Sequence, residues 1–337
     1  MKKKYVGRLP ERDPLHRYLR REILPQIGDR SHPASFRVFQ LRGSNDVYVY
    51  EERHSGTRVV GKFFLSERKR DRAKAARRMK REFENLKLLR SYHLDTPPHY
   101  VVRPLGCNES LNCVVFVEYC EGESLSDIIQ AALFRNGGEC LYRKLTALAY
   151  FLATLHNRTA EARPVDFQED CAYLDRLAGM LLRMRLISHD EAMELNWLRD
   201  QWRSQEKMWQ DRQVLVHGDA TPDNFLFGEG LDVIALDLER AKRADRVFDA
   251  GRVAGELKHF FMQATGARSA AEPYIGHFLW EYSCHFPDRM EAFRSITGRI
   301  PFHIGMTLLR IARNTWIEPG HRRRLIEEAK NNLRRFA

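Results

Sequence analysis

No stretch of the sequence approaches the roughly 20 consecutive apolar residues that a helix needs to span a bilayer. The amino terminus, Met1-Lys2-Lys3-Lys4, runs on into Tyr5-Val6-Gly7-Arg8 without the apolar core of a secretory signal. The six cysteines, Cys107, Cys113, Cys120, Cys140, Cys171 and Cys284, form no CxxC pair and no His/Cys grouping at zinc spacing. They therefore read as buried free thiols, and a disulfide- or zinc-stapled scaffold is excluded. No internal repeat or low-complexity segment is evident. A reducing cytoplasm fits all of these absences.

What is present is enough apolar material for a folded chain of about two domains, at roughly 100–200 residues each. Of the 337 residues, 43% are hydrophobic and 30% charged, which excludes wholesale disorder. Lys and Arg outnumber Asp and Glu by 56 to 45, for a net charge of +11, so anionic partners are favoured, a nucleoside triphosphate among them. The same balance suits nucleic acid or an anionic membrane surface, but those readings need a patch or a motif, and no nucleic-acid recognition motif is found. The basic stretch Arg68–Arg81 is the one compositional anomaly; it reads as a solvated helix face, with peripheral contact to an anionic surface as the alternative.

Asp13 followed by Pro14, then Leu15 and Leu19, predicts a short helix near 12–27, because Asp caps and Pro tolerates the first helical position. Residues 36–41 and 47–50, separated by the turn cluster 42–46, predict a β-hairpin, and 58–65 a third strand. Met79, Phe83, Leu86 and Leu89 recur every three or four residues and predict a helix over 73–89, after which 100–105 and 113–119 return to strand character. Beyond 125 nearly everything long reads as helix: 125–135, 141–157, 169–184, 188–209 and several segments past 246. The interruptions are Val214-Leu215-Val216, Phe225-Leu226-Phe227 and Val233-Ile234-Ala235-Leu236. The pattern is α+β, a small antiparallel β lobe with one helix over 1–119 and a larger, mainly helical lobe over 120–337, hinged near Glu118–Glu121.

Most of the chemistry is concentrated in Val216-His217-Gly218-Asp219-Ala220-Thr221-Pro222-Asp223-Asn224-Phe225. Phosphoryl transfer needs a carboxylate near the attacking hydroxyl and oxygen ligands for a divalent ion near the phosphates. Asp219 and Asn224, five residues apart in a loop between apolar strands, can offer both. Asp237 leaves the next apolar strand at its polar end, a costly place for an acid that binds nothing. Lys62, in the strand Val59-Val60-Gly61-Lys62-Phe63-Phe64, likewise needs an anionic partner if it points inward.

His217-Gly218-Asp219 with Asn224 and the later Asp237 resembles the motifs of the aminoglycoside phosphotransferase and choline kinase family, relatives of the protein kinases. The resemblance covers roughly 36–255 and implies a protein-kinase-like two-lobed fold, ATP and Mg2+ as cofactors, and transfer of the γ-phosphate to a hydroxyl. It implies that Asp219 orients or deprotonates that hydroxyl, that Asn224 and Asp237 hold magnesium, and that His217 braces the loop. It implies that Lys62 contacts the phosphates and pairs with Glu82, with Glu84 as the rival register. Gly43, Ser44 and Asn45 match the phosphate-covering loop, Glu118 and Cys120 the adenine-reading hinge, and Asp249 the helix-start acid that bonds back to the catalytic loop. Gly218 stands where protein kinases carry Arg, which points to the small-molecule branch, and Asp237-Leu238-Glu239 departs from Asp-Phe-Gly, so no activation-loop switch follows.

The acceptor expected is a small molecule with a hydroxyl, a sugar, amino alcohol or similar. The Arg- and Lys-rich segment after Lys242 disfavours a polycation and suits an anionic or neutral molecule. Trp280, Tyr282, Phe286 and Trp316 are candidates for an aromatic cage around a quaternary amine, or else core. A larger acceptor such as a surface glycolipid, and a silent pseudokinase scaffold, are the alternatives.

Overall fold

Alternating side chains and a charged first strand build the amino-terminal sheet. In the computed structural model, which describes residues 3–30, 34–41, 46–66 and 71–336, strands β1 (Lys3–Arg8), β2 (Phe36–Leu41), β3 (Asp46–Glu52) and β4 (Arg58–Phe63) pair antiparallel in succession. Two further strands, β7 (Pro104–Asn108) and β8 (Val114–Glu118), complete the order β1-β2-β3-β4-β8-β7. The expected hairpin, its third strand and the strand over 113–119 are therefore present, whereas the run 100–105 is broken at Val102-Arg103 between two strands, His99–Val101 and Pro104–Asn108, of different sheets. β1 went unread because its exposed lysines and Gly7 show no apolar alternation. Such a charged edge with a bulge between Tyr5 and Gly7 discourages pairing with other chains.

The short helix α1 (Pro14–Tyr18) begins as anticipated, with Asp13 accepting a hydrogen bond from the Leu15 N–H at 2.9 Å. Regular α geometry ends after one turn; wider and tighter turns carry the chain to Gly28, whose φ of 79° only glycine adopts freely. Leu15, Leu19, Ile23 and Leu24 nevertheless fall on one side and close over Phe36, Tyr50, Val59 and Phe116. Helix α2 (Arg72–Arg90), capped by Asp71, buries Ala75, Ala76, Met79, Glu82, Leu86 and Leu89. That stripe has helical spacing, and an acid sits in the middle of it. The short strands β5 (Asp95–Thr96) and β6 (His99–Val101) follow.

By compactness the chain divides into two units, residues 1–123 with 234–240, and residues 124–233 with 241–337. A short strand, β9 (Glu123–Ser124), leads into the second unit, which is mainly helical: α3 (Leu125–Phe134), α4 (Gly138–Arg158), α5 (Phe167–Arg183), α6 (His189–Arg203), α7 (Val247–Thr265), α8 (Glu272–Ser283), α9 (Arg289–Ala312) and α10 (Pro319–Leu333). Helix α6 opens with the reciprocal Ser188 and Glu191 capping bonds. The three apolar interruptions are β10 (Val214–Val216), β11 (Phe225–Phe227) and β12 (Val233–Ala235). β10 pairs antiparallel with β13 (Lys242–Ala244), a strand the basic sequence there concealed. Among the described residues no helix is long and apolar enough to cross a membrane.

Helices α7 and α9 approach closely because α7 carries glycines where they touch. A Cβ added at Gly251 would meet the His303 backbone carbon at 3.0 Å, and one at Gly255 the Thr307 Cγ2 at 2.5 Å. In an open helix Gly→Ala stabilises by roughly 0.5–1 kcal/mol. Here the sign reverses: Gly251→Ala lowers stability by about 1–3 kcal/mol in urea unfolding, the usual cost of overpacking.

Candidate active site

In the first unit, the side chains of β4, α2 and the returning segment 234–240 meet around one ammonium. Lys62 Nζ donates to Glu82 Oε2 at 2.6 Å and to Asp237 Oδ1 at 2.8 Å, with Glu239 Oε2 at 3.9 Å. Arg78 Nη2 donates to both oxygens of Glu239 at 2.8 Å, and Asn85 Nδ2 to the Leu238 carbonyl at 2.7 Å, so α2 holds the segment at two points. Of the two candidate acids on α2, the helix turns Glu82 to Lys62 and leaves Glu84 beside Lys87 at the surface. Asp237 has a φ of 56°, sparsely populated for any residue but glycine and best tolerated by Asp and Asn.

Burial works against the Lys62 charge, but Glu82, Asp237 and Glu239 outweigh it and hold the ammonium above its ordinary value. Glu82 is pushed up to about 7 by burial, with Asp237 and Glu239 adding to the shift and Lys62 opposing it. Oxygens of Glu82, Asp237 and Glu239 lie within 4.8 Å of one another. Arg240 Nε also lies 3.8 Å from Glu239 Oε1, so Lys62, Arg78 and Arg240 face the three carboxylates, whose oxygens are donors of the kind that hard cations such as Mg2+ favour.

The hinge candidates lie in the same unit. Glu118 pairs with Arg103 through its backbone N–H and through its carboxylate at 2.6 Å. The Cys120 N–H makes no hydrogen bond among the described residues, and burial pushes its thiol up to about 12. Gly43, Ser44 and Asn45 lie outside the described residues.

In the second unit, the loop from β10 to β11 is held by a buried carboxylate. Asp249, in the first turn of α7, accepts the backbone N–H groups of His217 at 2.6 Å and Gly218 at 3.0 Å. His156 Nε2 on α4 lies 3.2 Å from the same carboxylate, and its Nδ1 lies 2.7 Å from the Tyr282 hydroxyl on α8. Burial would raise Asp249, but the His156 hydrogen bond, both histidines and the loop amide hold it below the usual carboxylate range. Burial lowers His156 in turn. Gly218 has a φ of 76°, which accounts physically for glycine at that place. His217 packs on Phe225, and its Nδ1 lies 3.4 Å from the Asp219 N–H.

Asn224 Nδ2 donates to the Asp219 carbonyl at 2.8 Å, closing the loop on itself, while its Oδ1 accepts no hydrogen bond among the described residues. An amide oxygen left over in this way is a suitable magnesium ligand. Asp219 Oδ1 accepts from Arg310 Nη2 on α9 at 2.6 Å. Arg310 has no place in the sequence motif, and no local signal announces a partner 91 residues away.

The family model for the phosphotransferase enzyme family matches residues 35–283. The chain belongs to this family. No curated protein matches. Among solved structures, this phosphotransferase is similar to an ethanolamine kinase from Plasmodium vivax, with 14% identity, 95% of this chain and 87% of that chain covered, and a TM-score of 0.56. It is similar to a choline kinase from Streptococcus pneumoniae, at 16% identity, coverage of 88% and 92%, and a TM-score of 0.51. A third is an amicoumacin kinase solved with AMP-PNP and Ca2+, at 12% identity, coverage of 88% and 87%, and a TM-score of 0.56. Identities this low speak for the fold, which is the kinase-like α+β architecture.

The phosphotransferase does not assemble the aromatic cage. Trp280 packs on Phe293, Tyr282 is buried against Phe286 with its hydroxyl at His156, Phe286 lies under Arg246, and Trp316 is 81% exposed. Three of the rings serve packing and the fourth faces solvent. Nor is the basic stretch before Arg81 only a solvated face, since Arg78 holds Glu239; residues 68–70 lie outside the described residues.

Two consequences are measurable. Asp249→Asn leaves one loop amide short of an acceptor, so urea unfolding of the phosphotransferase shows a loss of about 1–3 kcal/mol. Glu82 holds its proton more tightly folded, at about 7, than at its ordinary value of 4.5. Its contribution is therefore full below about pH 4.5 and is lost as pH rises towards 7, by about 3 kcal/mol. Glu82→Gln removes that part of the slope in stability against pH.

Proposed function

We propose that the chain transfers the γ-phosphoryl group of ATP to a hydroxyl of a small molecule that is not a polycation, in the cytoplasm. The observation that carries this reading is the Lys62 cluster, a buried ammonium held between Glu82 and Asp237. A lysine so oriented is a point charge suited to phosphate oxygens. The fold shared with ethanolamine and choline kinases and the six free cysteines fit the same reading.

In this proposal Lys62 holds the phosphates and Glu82 sets its direction. The backbone at Glu118 and Cys120 reads the adenine, and the backbone of Gly43, Ser44 and Asn45 covers the phosphates. Asp237 and Asn224 would hold Mg2+, which when bound offsets the negative charge of the transferring group. Asp219 orients the acceptor hydroxyl and takes its proton as the new O–P bond forms and the bond to ADP breaks. His217 and Asp249 act by keeping the loop in place.

Asp219→Ala lowers kcat by about 10²–10⁴-fold, measured as ADP formed in the presence of sugars and amino alcohols. If wild type binds Mg-ATP but its turnover with every acceptor equals that of Asp219→Ala, the chain is a nucleotide-binding scaffold and not an enzyme. Glu82→Gln weakens ATP binding by about 10–100-fold, equivalent to roughly 1.5–3 kcal/mol. Glu84→Gln leaves it within about twofold, as expected of a surface pair.

A further inference from the structure

Beside the loop that carries Asp219, two arginines stand on helices α7 and α9 of the second unit. Arg252 and Glu256 are one turn apart on α7, and His303 and Arg310 two turns apart on α9. Arg310 joins the two helices and the loop, with Nη2 at 2.6 Å from Asp219 and Nη1 at 3.4 Å from Glu256. Buried polar groups in folded proteins nearly always meet partners. Here Arg252 Nε and Nη1, both ring nitrogens of His303 and Arg310 Nε are buried and meet none among the described residues.

A guanidinium stays charged when buried, and an unpaired one is among the most costly groups a core can hold. Burial and the neighbouring Arg310 both work against the Arg252 charge, and Tyr173, Asp219 and Glu256 offset only part of this. Glu256 is itself pushed up to about 7 by burial, so near neutrality it supplies only part of a negative charge. Two arginines thus share Asp219, Asp223 and the partly protonated Glu256, and three of their buried N–H groups still meet no acceptor among the described residues.

Resting on the phosphotransfer reading above, we infer that the acceptor carries an anionic group, a phosphate or a carboxylate, received by Arg252 and Arg310 while its hydroxyl lies at Asp219. Because Arg310 touches Asp219 directly, the anionic group and the reacting hydroxyl are a few bonds apart. The planar fork of arginine suits either anion by paired N–H donors. Binding of the anion supplies the missing partners and draws Arg310 between the acceptor and Asp219.

The test uses the full chain and two measurements. Isothermal titration with inorganic phosphate shows binding to wild type and to Lys62→Met, and at least tenfold weaker binding to Arg252→Met. Arg252→Met melts at or above the wild-type temperature, because a buried charge with unmet donors is removed, whereas a merely structural arginine would lower it; should that variant fail to fold, the neutral Arg252→Gln carries the same comparison. With Mg-ATP, gluconate and glucose 6-phosphate exceed glucose and glucosamine in kcat/KM, and the stronger of the two anions distinguishes carboxylate from phosphate. Phosphate binding that is absent, or unchanged by the Arg252 variant, overturns the inference, as does preference for the neutral or cationic sugar. Arg252-dependent phosphate binding without Asp219-dependent turnover on any of the four overturns the phosphotransfer reading instead and leaves an anion site.

Discussion

A carboxylate with no access to water anchors the loop from β10 to β11. Asp249 is fully buried, and desolvation alone would force a proton onto it; two loop amides and the imidazole of His156 keep it ionised. Each partner comes from a different part of the second unit, so the loop conformation, the start of α7 and the position of α4 are settled together. Gly218 in the left-handed region and Asn224 folded back on the Asp219 carbonyl follow from that anchoring. A loop held in this way needs little reorganisation when a substrate arrives, which is where electrostatic catalysis gains most.

Each unit gathers charges of both signs around one group. Around Lys62, the acids Glu82, Asp237 and Glu239 meet Lys62, Arg78 and, at 3.8 Å, Arg240. Around Asp219, Arg310 and Arg252 share Asp219, Asp223 and Glu256, whose proton is held up to about 7, and buried N–H groups of both arginines meet no acceptor among the described residues. A divalent cation would suit the carboxylate oxygens of the first, and an anion the unmet donors of the second. Both are expensive arrangements for a resting protein, and proteins tolerate such cost chiefly where ligands bind.

Much of this was legible in the order of residues. Asp13 before Pro14 marks a helix start, the apolar stripe of α2 has helical period, and the motif from His217 to Asn224 with Asp237 names the family. What escaped reading has physical causes. β1 and β13 are basic, and β13 is only three residues long, so apolar alternation is missing. The aromatic residues near 280 share a spacing that suits a cage and a core equally, and only their packing on Phe293, Phe286 and His156 shows the use made of them. Glu82 and Glu84 are two residues apart on a helix, and a rotation of about 200° separates their directions.

By itself, the sequence determined the fold class, the family and the identity of the loop, because these rest on local periodicity and on short-range spacing of groups with known chemistry. Tertiary structure alone decided that residues 234–240 join the first unit and bring Asp237 to Lys62, 175 positions away. It also decided that Arg310 lies on Asp219 and that Arg252 is buried with its Nε and Nη1 unmet among the described residues. Contacts between helices are set by which faces pack, and a face is chosen by the whole core, so no window of sequence encodes them.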